Sequence, residues 1–287
     1  MQTEALIRII VSIFAALIPI IIWGYLFYQK NPESRQWTFI TFFGGMVAVI
    51  PILLYKYSWQ YFPSLNAFDY FKTFETNILD FTFVVLPISV LLTFMLVGVF
   101  EEYFKHIVVR IIDHGRFRTI DDAIEFSIIA ALGFAYIENI LYFTSIWESQ
   151  GTESFIISVI FRSIFSTFAH ILFSGIYGYY YGIAYFSDQV FQEEIRRNRF
   201  ILLRILHRIS HFRLPTLFHE EKVLEGLLLA IITHAFFNIL LEMSWTIFIV
   251  PYLLFGFVTL SYLFDKKENH KNYGRLIEKE AAEPEKI

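Results

Sequence analysis

The sequence predicts an all-α, polytopic membrane bundle of about seven transmembrane helices, with the N-terminus outside and the C-terminus cytoplasmic. Three observations carry that expectation. Of the 287 residues, 56% are hydrophobic and only 17% charged, giving a mean hydropathy of +0.53, too apolar for an ordinary water-soluble domain. Apolar runs of bilayer-spanning length recur along the chain, and Lys and Arg are concentrated in alternate connections between them. A helix needs ~20 residues to cross a ~30 Å hydrocarbon core. No run alternates with period two over a sustained length, so strands are not expected.

Taken in order, residues 9–27, 37–55, 81–100 and 245–264 contain no Asp, Glu, Lys or Arg. Three further apolar stretches hold isolated ionisable groups: 126–147 with Glu138, 155–186 with Arg162 and His170, and 223–241 with Glu225 and His234. The first span lacks a small-residue cleavage site and is followed directly by a second, so it is expected to be a retained signal anchor. Lys30 and Arg35, Arg116 and Arg118, the cations of 196–222 and those of 266–286 mark cytoplasmic segments, because positive charge is retained on that side. The links at 58–80, 148–154 and 242–244 hold one Lys and no Arg.

The expected organisation is two accessory helices with their connecting loops at 1–80, a five-helix core at 81–264 interrupted by a basic cytoplasmic loop at 188–222, and a polar, disordered tail at 265–287. The chain has no Cys, which excludes disulfides, thiolate metal ligands and a cysteine nucleophile. A formal net charge of −4 gives no reason to expect nucleic acid as a partner; the lipid bilayer is the expected surrounding.

Against this apolar background the polar residues within spans carry the information, since each is costly in hydrocarbon unless paired, hydrated or bound. With each long span centred in the bilayer, Glu101 and Glu102 lie ~7 to 9 Å to the cytoplasmic side of the midpoint, and Glu138, His170 and His234 within ~3 Å of it. Four helices thus offer polar groups at similar depth, which predicts a shared intramembrane site. Glu101 and Lys105 are spaced i,i+4, Glu102 and Lys105 i,i+3, and His234 and Asn238 i,i+4, so each pair shares a helix face. Glu101 and Glu102 are about 100° apart; one is expected to face the reacting centre while the other braces it or receives Lys105. Arg162 is positioned to snorkel toward headgroups or to pair with Glu138. A single intramembrane His is often only a strut between helices, and it is the combination with Glu101 and Glu102 that points to chemistry.

Glu101-Glu102-Tyr103-Phe104-Lys105, Gly133-Phe134-Ala135-Tyr136-Ile137-Glu138-Asn139, Arg162 with His170, and His234-Ala235-Phe236-Phe237-Asn238, in that order and on successive helices, resemble the motif series of PrsW-type intramembrane proteases. The resemblance covers about 81–241. The wider group includes CAAX-prenyl and bacteriocin-processing proteases, whose first motif has Arg where this chain has Lys105, so the likeness is to the PrsW branch.

The resemblance implies cleavage of a peptide bond in a membrane protein, possible substrates including an anti-sigma-factor-like regulator, in the bacterial cytoplasmic membrane. It implies Glu101, Glu102, His170 and His234 as catalytic residues, supported by Lys105, Glu138, Asn139, Arg162 and Asn238. A divalent metal such as zinc, held by Glu102, His170 and His234, would suit the donor set of a catalytic site with an open position; a Glu general base without metal is the alternative. Asn238 would orient His234 or donate to an oxyanion, and Asn139 would support Glu138. Buried Glu, His and Lys also build proton relays, so an ion-coupled transporter and a catalytically silent, protein-binding relative are the competing expectations.

Overall fold

A computed structural model describes residues 2–28, 35–74, 76–81, 84–112, 115–186 and 214–268. Helix α1 spans Gln2–Tyr28. Helices α2 (Arg35–Val47) and α3 (Ile50–Ser58) follow one another across a short break; Pro51 sits in the first turn of α3, where a missing N–H costs nothing. The short helix α4 (Ala67–Phe71) is capped by the Asn66 side chain, which accepts from the Phe68 N–H. After an antiparallel hairpin come α5 (Ile88–Ile112), α6 (Ile120–Phe161), a π-helical turn (Arg162–Ser166), α7 (Thr167–Tyr185), α8 (Leu214–Glu242) and α9 (Ile249–Glu268).

The hairpin corrects the expectation that strands are absent. Strands β1 (Asn77–Phe81) and β2 (Val84–Pro87) pair with Leu79 opposite Leu86 and Phe81 opposite Val84. The apolar run 81–100 therefore begins as sheet. Of its first residues, Phe81, Val84 and Val85 are the aromatic and β-branched types that suit a pleated surface, and Pro87 ends the ladder just before α5 starts. The 25 residues of α5 remain long enough to cross the bilayer by themselves.

Among the described residues, five segments are long and apolar enough to span a membrane: Thr3–Tyr25, Gln36–Ser58, Ile120–Tyr185, Thr216–Glu242 and Thr246–Leu263. Their outward faces are apolar, with Ile21, Leu54, Ile157 and Phe255 all exposed, as a lipid-facing surface requires. The chain is an α-helical, polytopic membrane protein. The 66-residue segment Ile120–Tyr185 is folded back on itself at Gly151, whose φ of 86° and ψ of −175° suit a residue without Cβ. Contacts on either side confirm an antiparallel pair: Trp147 stacks on Phe155, Asn139 meets Arg162, and Gly178 lies against Ile124.

The basic loop expected at 188–222 is shortened at its end, because 214–222 forms the first turns of α8; 188–213 lies outside the described residues. Of the expected tail, residues 265–268 continue α9 and the remainder is likewise outside them. Glu225 pairs with Lys222 at 2.6 Å, well inside α8.

Helix α6 forms the centre of the bundle, with α1, α2 and α7 packed on it. The crossing with α2 is backbone against backbone. A Cβ on Gly133 would sit 1.9 Å from the Phe42 carbonyl oxygen, and one on Gly45 2.0 Å from that of Ala130, so neither position tolerates a side chain without separating the helices. Gly133→Val is expected to lower stability by about 1–3 kcal/mol, read as an earlier midpoint in denaturant titration of the detergent-solubilised protein; an unchanged midpoint would contradict this packing.

Candidate active site

Three side chains of the site come from one face of α5. Glu102 and Lys105, one turn apart, are both 3% exposed, and Glu101 flanks them. α5 is brought close to α8 at Gly98, where a Cβ would stand 3.0 Å from the Ile231 carbonyl oxygen. One turn further along each helix, Glu102 meets His234: the imidazole Nδ1 lies 2.7 Å from Glu102 Oε1. The same carboxylate oxygen accepts from Lys105 Nζ at 2.7 Å.

The π-helical turn sets the opposite wall. Arg162 and His170 are eight residues apart, which on an uninterrupted α-helix separates them by about 80°; one extra residue in a turn reduces this to about 20°. Both therefore reach the same carboxylate. Arg162 Nη2 lies 2.9 Å from Glu138 Oε1, and His170 Nε2 2.9 Å from Glu138 Oε2. The turn is pinned in place by side chains: Arg162 Nε donates to Asn139 Oδ1 at 2.6 Å, Thr167 Oγ1 donates to the Arg162 carbonyl at 3.0 Å, and Asn139 Nδ2 donates to Thr167 Oγ1 at 3.4 Å.

Lys105 links the two walls, with its Nζ 3.1 Å from His170 Nδ1 and 4.7 Å from the centre of the Phe134 ring. An ammonium only donates, so His170 Nδ1 is the acceptor and His170 Nε2 carries the proton given to Glu138. The ionised Glu102 only accepts, so His234 donates from Nδ1 and turns the lone pair of Nε2 toward Glu101. That nitrogen is 3.6 Å from Glu101 Oε2, a buried oxygen without a hydrogen-bond partner. Two acceptors facing each other at that distance call for a shared proton, water or cation.

The charge inventory makes the same demand, since among the described residues three carboxylates face two permanent cations, Lys105 and Arg162. Ligand atoms of Glu101, His170 and His234 lie within 4.8 Å of one another. A carboxylate with two imidazoles fits the composition of a catalytic zinc site, and the orphaned Glu101 oxygen beside a free His234 lone pair fits it locally. His170 fits on one condition, because both of its nitrogens are engaged and either Lys105 or Glu138 must yield for it to ligate.

The sequence expectations thus meet the geometry unevenly. Glu101, Glu102, Lys105, Glu138, Asn139, Arg162, His170 and His234 are brought together. The converging metal-type donors include Glu101, whereas the expectation named Glu102, whose Oε1 is held by Lys105 and His234. Asn139 braces Arg162 where support of Glu138 was expected. Asn238 is half-buried, and among the described residues no hydrogen bond joins it to the network; the group orienting His234 is Glu102. Thr167 and Phe173 were missed. The Phe173 ring stacks on His234 with centroids 5.1 Å apart, and nothing in an aromatic-rich span marks that ring beforehand. Thr167, one turn before His170, carried a weak signal as a hydroxyl on the same face.

The fold and this cluster define a polytopic membrane protein with an intramembrane Glu/His site. The family model described as PrsW family intramembrane metalloprotease matches residues 33–263, and the chain belongs to the PrsW family. It is similar to proteins named Protease PrsW from Geobacillus kaustophilus (33% identical over 48% of this chain and 52% of that protein), Shouchella clausii (26%, over 61% and 71%) and Oceanobacillus iheyensis (27%, over 66% and 75%). The chain thus aligns with about half the length of the Geobacillus relative. No solved structure matches it.

Glu138→Ala removes the acidic partner of a buried Arg and is expected to cost about 3–5 kcal/mol, with Arg162→Met recovering part of the loss. A double-mutant cycle on unfolding in detergent should give a coupling of about 0.5–3 kcal/mol; zero coupling would mean that the pair contributes nothing.

Proposed function

We propose that the protein hydrolyses a peptide bond of a membrane protein within the bilayer, by a water that Glu101 deprotonates. The observation that carries this reading is the opposed pair of acceptors, Glu101 Oε2 and His234 Nε2, at 3.6 Å in a buried site, where a water can be held and lose a proton. Family membership supports the reaction class. The resemblance suggests an anti-sigma-factor-like regulator as one substrate class.

The balance is simple. The water oxygen bonds to the scissile carbonyl carbon as its proton passes to Glu101; the Lys105 ammonium donates to the developing oxyanion. The C–N bond then breaks, and the proton on Glu101 goes to the leaving amine. Glu102 keeps His234 oriented through Nδ1, and Glu138 with Arg162 keeps His170 oriented through Nε2. A divalent cation such as zinc would be held by Glu101, His170 and His234, and would supply acidification of water and polarisation of the carbonyl.

The chain is placed in the cytoplasmic membrane with seven crossings, its N-terminus outside and its C-terminus in the cytoplasm. α5 counts as one crossing and the Gly151 hairpin as two. Helix α1 runs alongside the second arm of that hairpin, Ala16 clustering with Phe155 and Trp23 with Phe168, so the N-terminus and Gly151 share a side. The accessory helices 1–80, the core 81–264 and the tail 265–287 remain the proposed division.

Newly formed protein N-termini in membranes expressing wild type should include ends, near another protein's membrane segment, that fall at least ~100-fold with Glu101→Gln at matched abundance. Glu102→Gln should cost about 10–100-fold. Identical profiles would reject proteolysis, and ion uptake lost with Glu101→Gln would replace it with transport. Purified wild type should hold about one equivalent of metal, reduced well below that by His170→Ala or His234→Ala; cleavage by metal-free, chelator-insensitive protein would show that Glu101 activates the water without a cation.

A further inference from the structure

We infer that Trp23 of α1 and Tyr252 of α9 are positioning residues for the two histidines: each peripheral helix places one aromatic N–H or O–H on a backbone carbonyl beside a histidine-bearing segment. This inference rests on the proposed hydrolytic role of His170 and His234.

Trp23 Nε1 donates to the Ser163 carbonyl at 2.9 Å across 140 residues of sequence. Ser163 lies inside the π-helical turn, whose hydrogen-bond pattern differs from that of the helices around it. The extra residue of that turn is what aligns Arg162 with His170. The indole also stacks on Phe168, two residues before His170, with ring centroids 4.9 Å apart at 22°. Trp23 thus grips the turn at one end and the start of α7 at the other.

Tyr252 does the corresponding work on α8. Its hydroxyl donates to the Thr233 carbonyl at 2.6 Å, the residue immediately before His234, while its ring packs against Phe236 and Phe237. Among the described residues, neither aromatic has a hydrogen bond or ring contact with the Glu/His cluster itself. Each removes an aim error at its source, because an imidazole displaced by about 1 Å loses its near-attack geometry.

Tyr252→Phe keeps the whole ring and deletes only its donor, whereas Trp23→Phe deletes the indole N–H and also shrinks the ring lying on Phe168, a loss of volume that the control Trp147→Phe shares. Each should lower kcat about 10-fold, with KM and the unfolding midpoint near wild type, and the double variant about 100-fold. Trp147→Phe, which deletes an indole N–H bonded to Thr152 Oγ1 far from the histidines, should change nothing. Independently of cleavage, hydrogen exchange of the amides of 162–170 should rise about 5-fold in Trp23→Phe, and that of 233–238 in Tyr252→Phe, each leaving the other segment unchanged. Unchanged exchange in both variants overturns the inference, as does an equal loss of kcat in Trp147→Phe. If wild type cleaves nothing, the proteolytic reading fails, and the exchange experiment alone decides whether these aromatics hold the two segments.

Discussion

Everything at the centre of the bundle depends on the burial of Glu102. A carboxylate 3% exposed in a protein surrounded by lipid has no water to solvate it, and it persists only because Lys105 and His234 both reach the same oxygen at 2.7 Å. Those two contacts have different consequences. Lys105 is on the same helix and supplies charge balance locally, whereas His234 is on α8 and ties that helix to α5. Satisfying one buried charge therefore fixes the distance between two helices and, through Nδ1, the tautomer and aim of an imidazole.

The second wall solves a geometric problem rather than an electrostatic one. Arg162 and His170 are too far apart in sequence to share a carboxylate on a regular helix face, and the π-helical turn between them supplies the missing rotation. Glycine makes the approach possible elsewhere: Gly98 lets α5 reach α8, and Gly133 lets α2 lie on α6. Side-chain chemistry at the site is held by backbone contacts one turn away, which is why its precision need not come from loops.

Much of this was legible in the sequence, and the failures share a cause. Ionisable residues in apolar spans are so costly that Glu101, Glu102, Lys105, Glu138, Arg162, His170 and His234 identify themselves, and depth counting along ideal helices placed Glu101, Glu102, Glu138, His170 and His234 at similar depth. Azimuth was less accessible. Nothing in Arg-Ser-Ile-Phe-Ser announces a π-helical turn, and the choice between Glu101 and Glu102, 100° apart, turned on which one Lys105 and His234 would engage. Asn238 shares a face with His234 by spacing, yet a carboxylate on another helix took the role expected of it. The strand β2 was hidden for a different reason: the charge-free run 81–100 satisfies both strand and helix, and only Pro87 hinted at the boundary.

Access to the site follows from its burial gradient. Side-chain exposure falls from 31% at Glu138 through 13% at Glu101 to 2% at Glu102, so anything entering the cluster meets Glu138 and Glu101 before Glu102. Glu138 is already neutralised by Arg162 and bonded to His170, and Glu101 is the carboxylate of this cluster with an oxygen, itself buried, that lacks a hydrogen-bond partner. Under the proposed function, a peptide bond entering from the Glu138 side would pass Glu101 before it came to the more deeply buried His234 and Lys105. The order of exposure thus separates the roles: the outer groups are paired, the innermost is braced, and the one between them is left with an oxygen free to act.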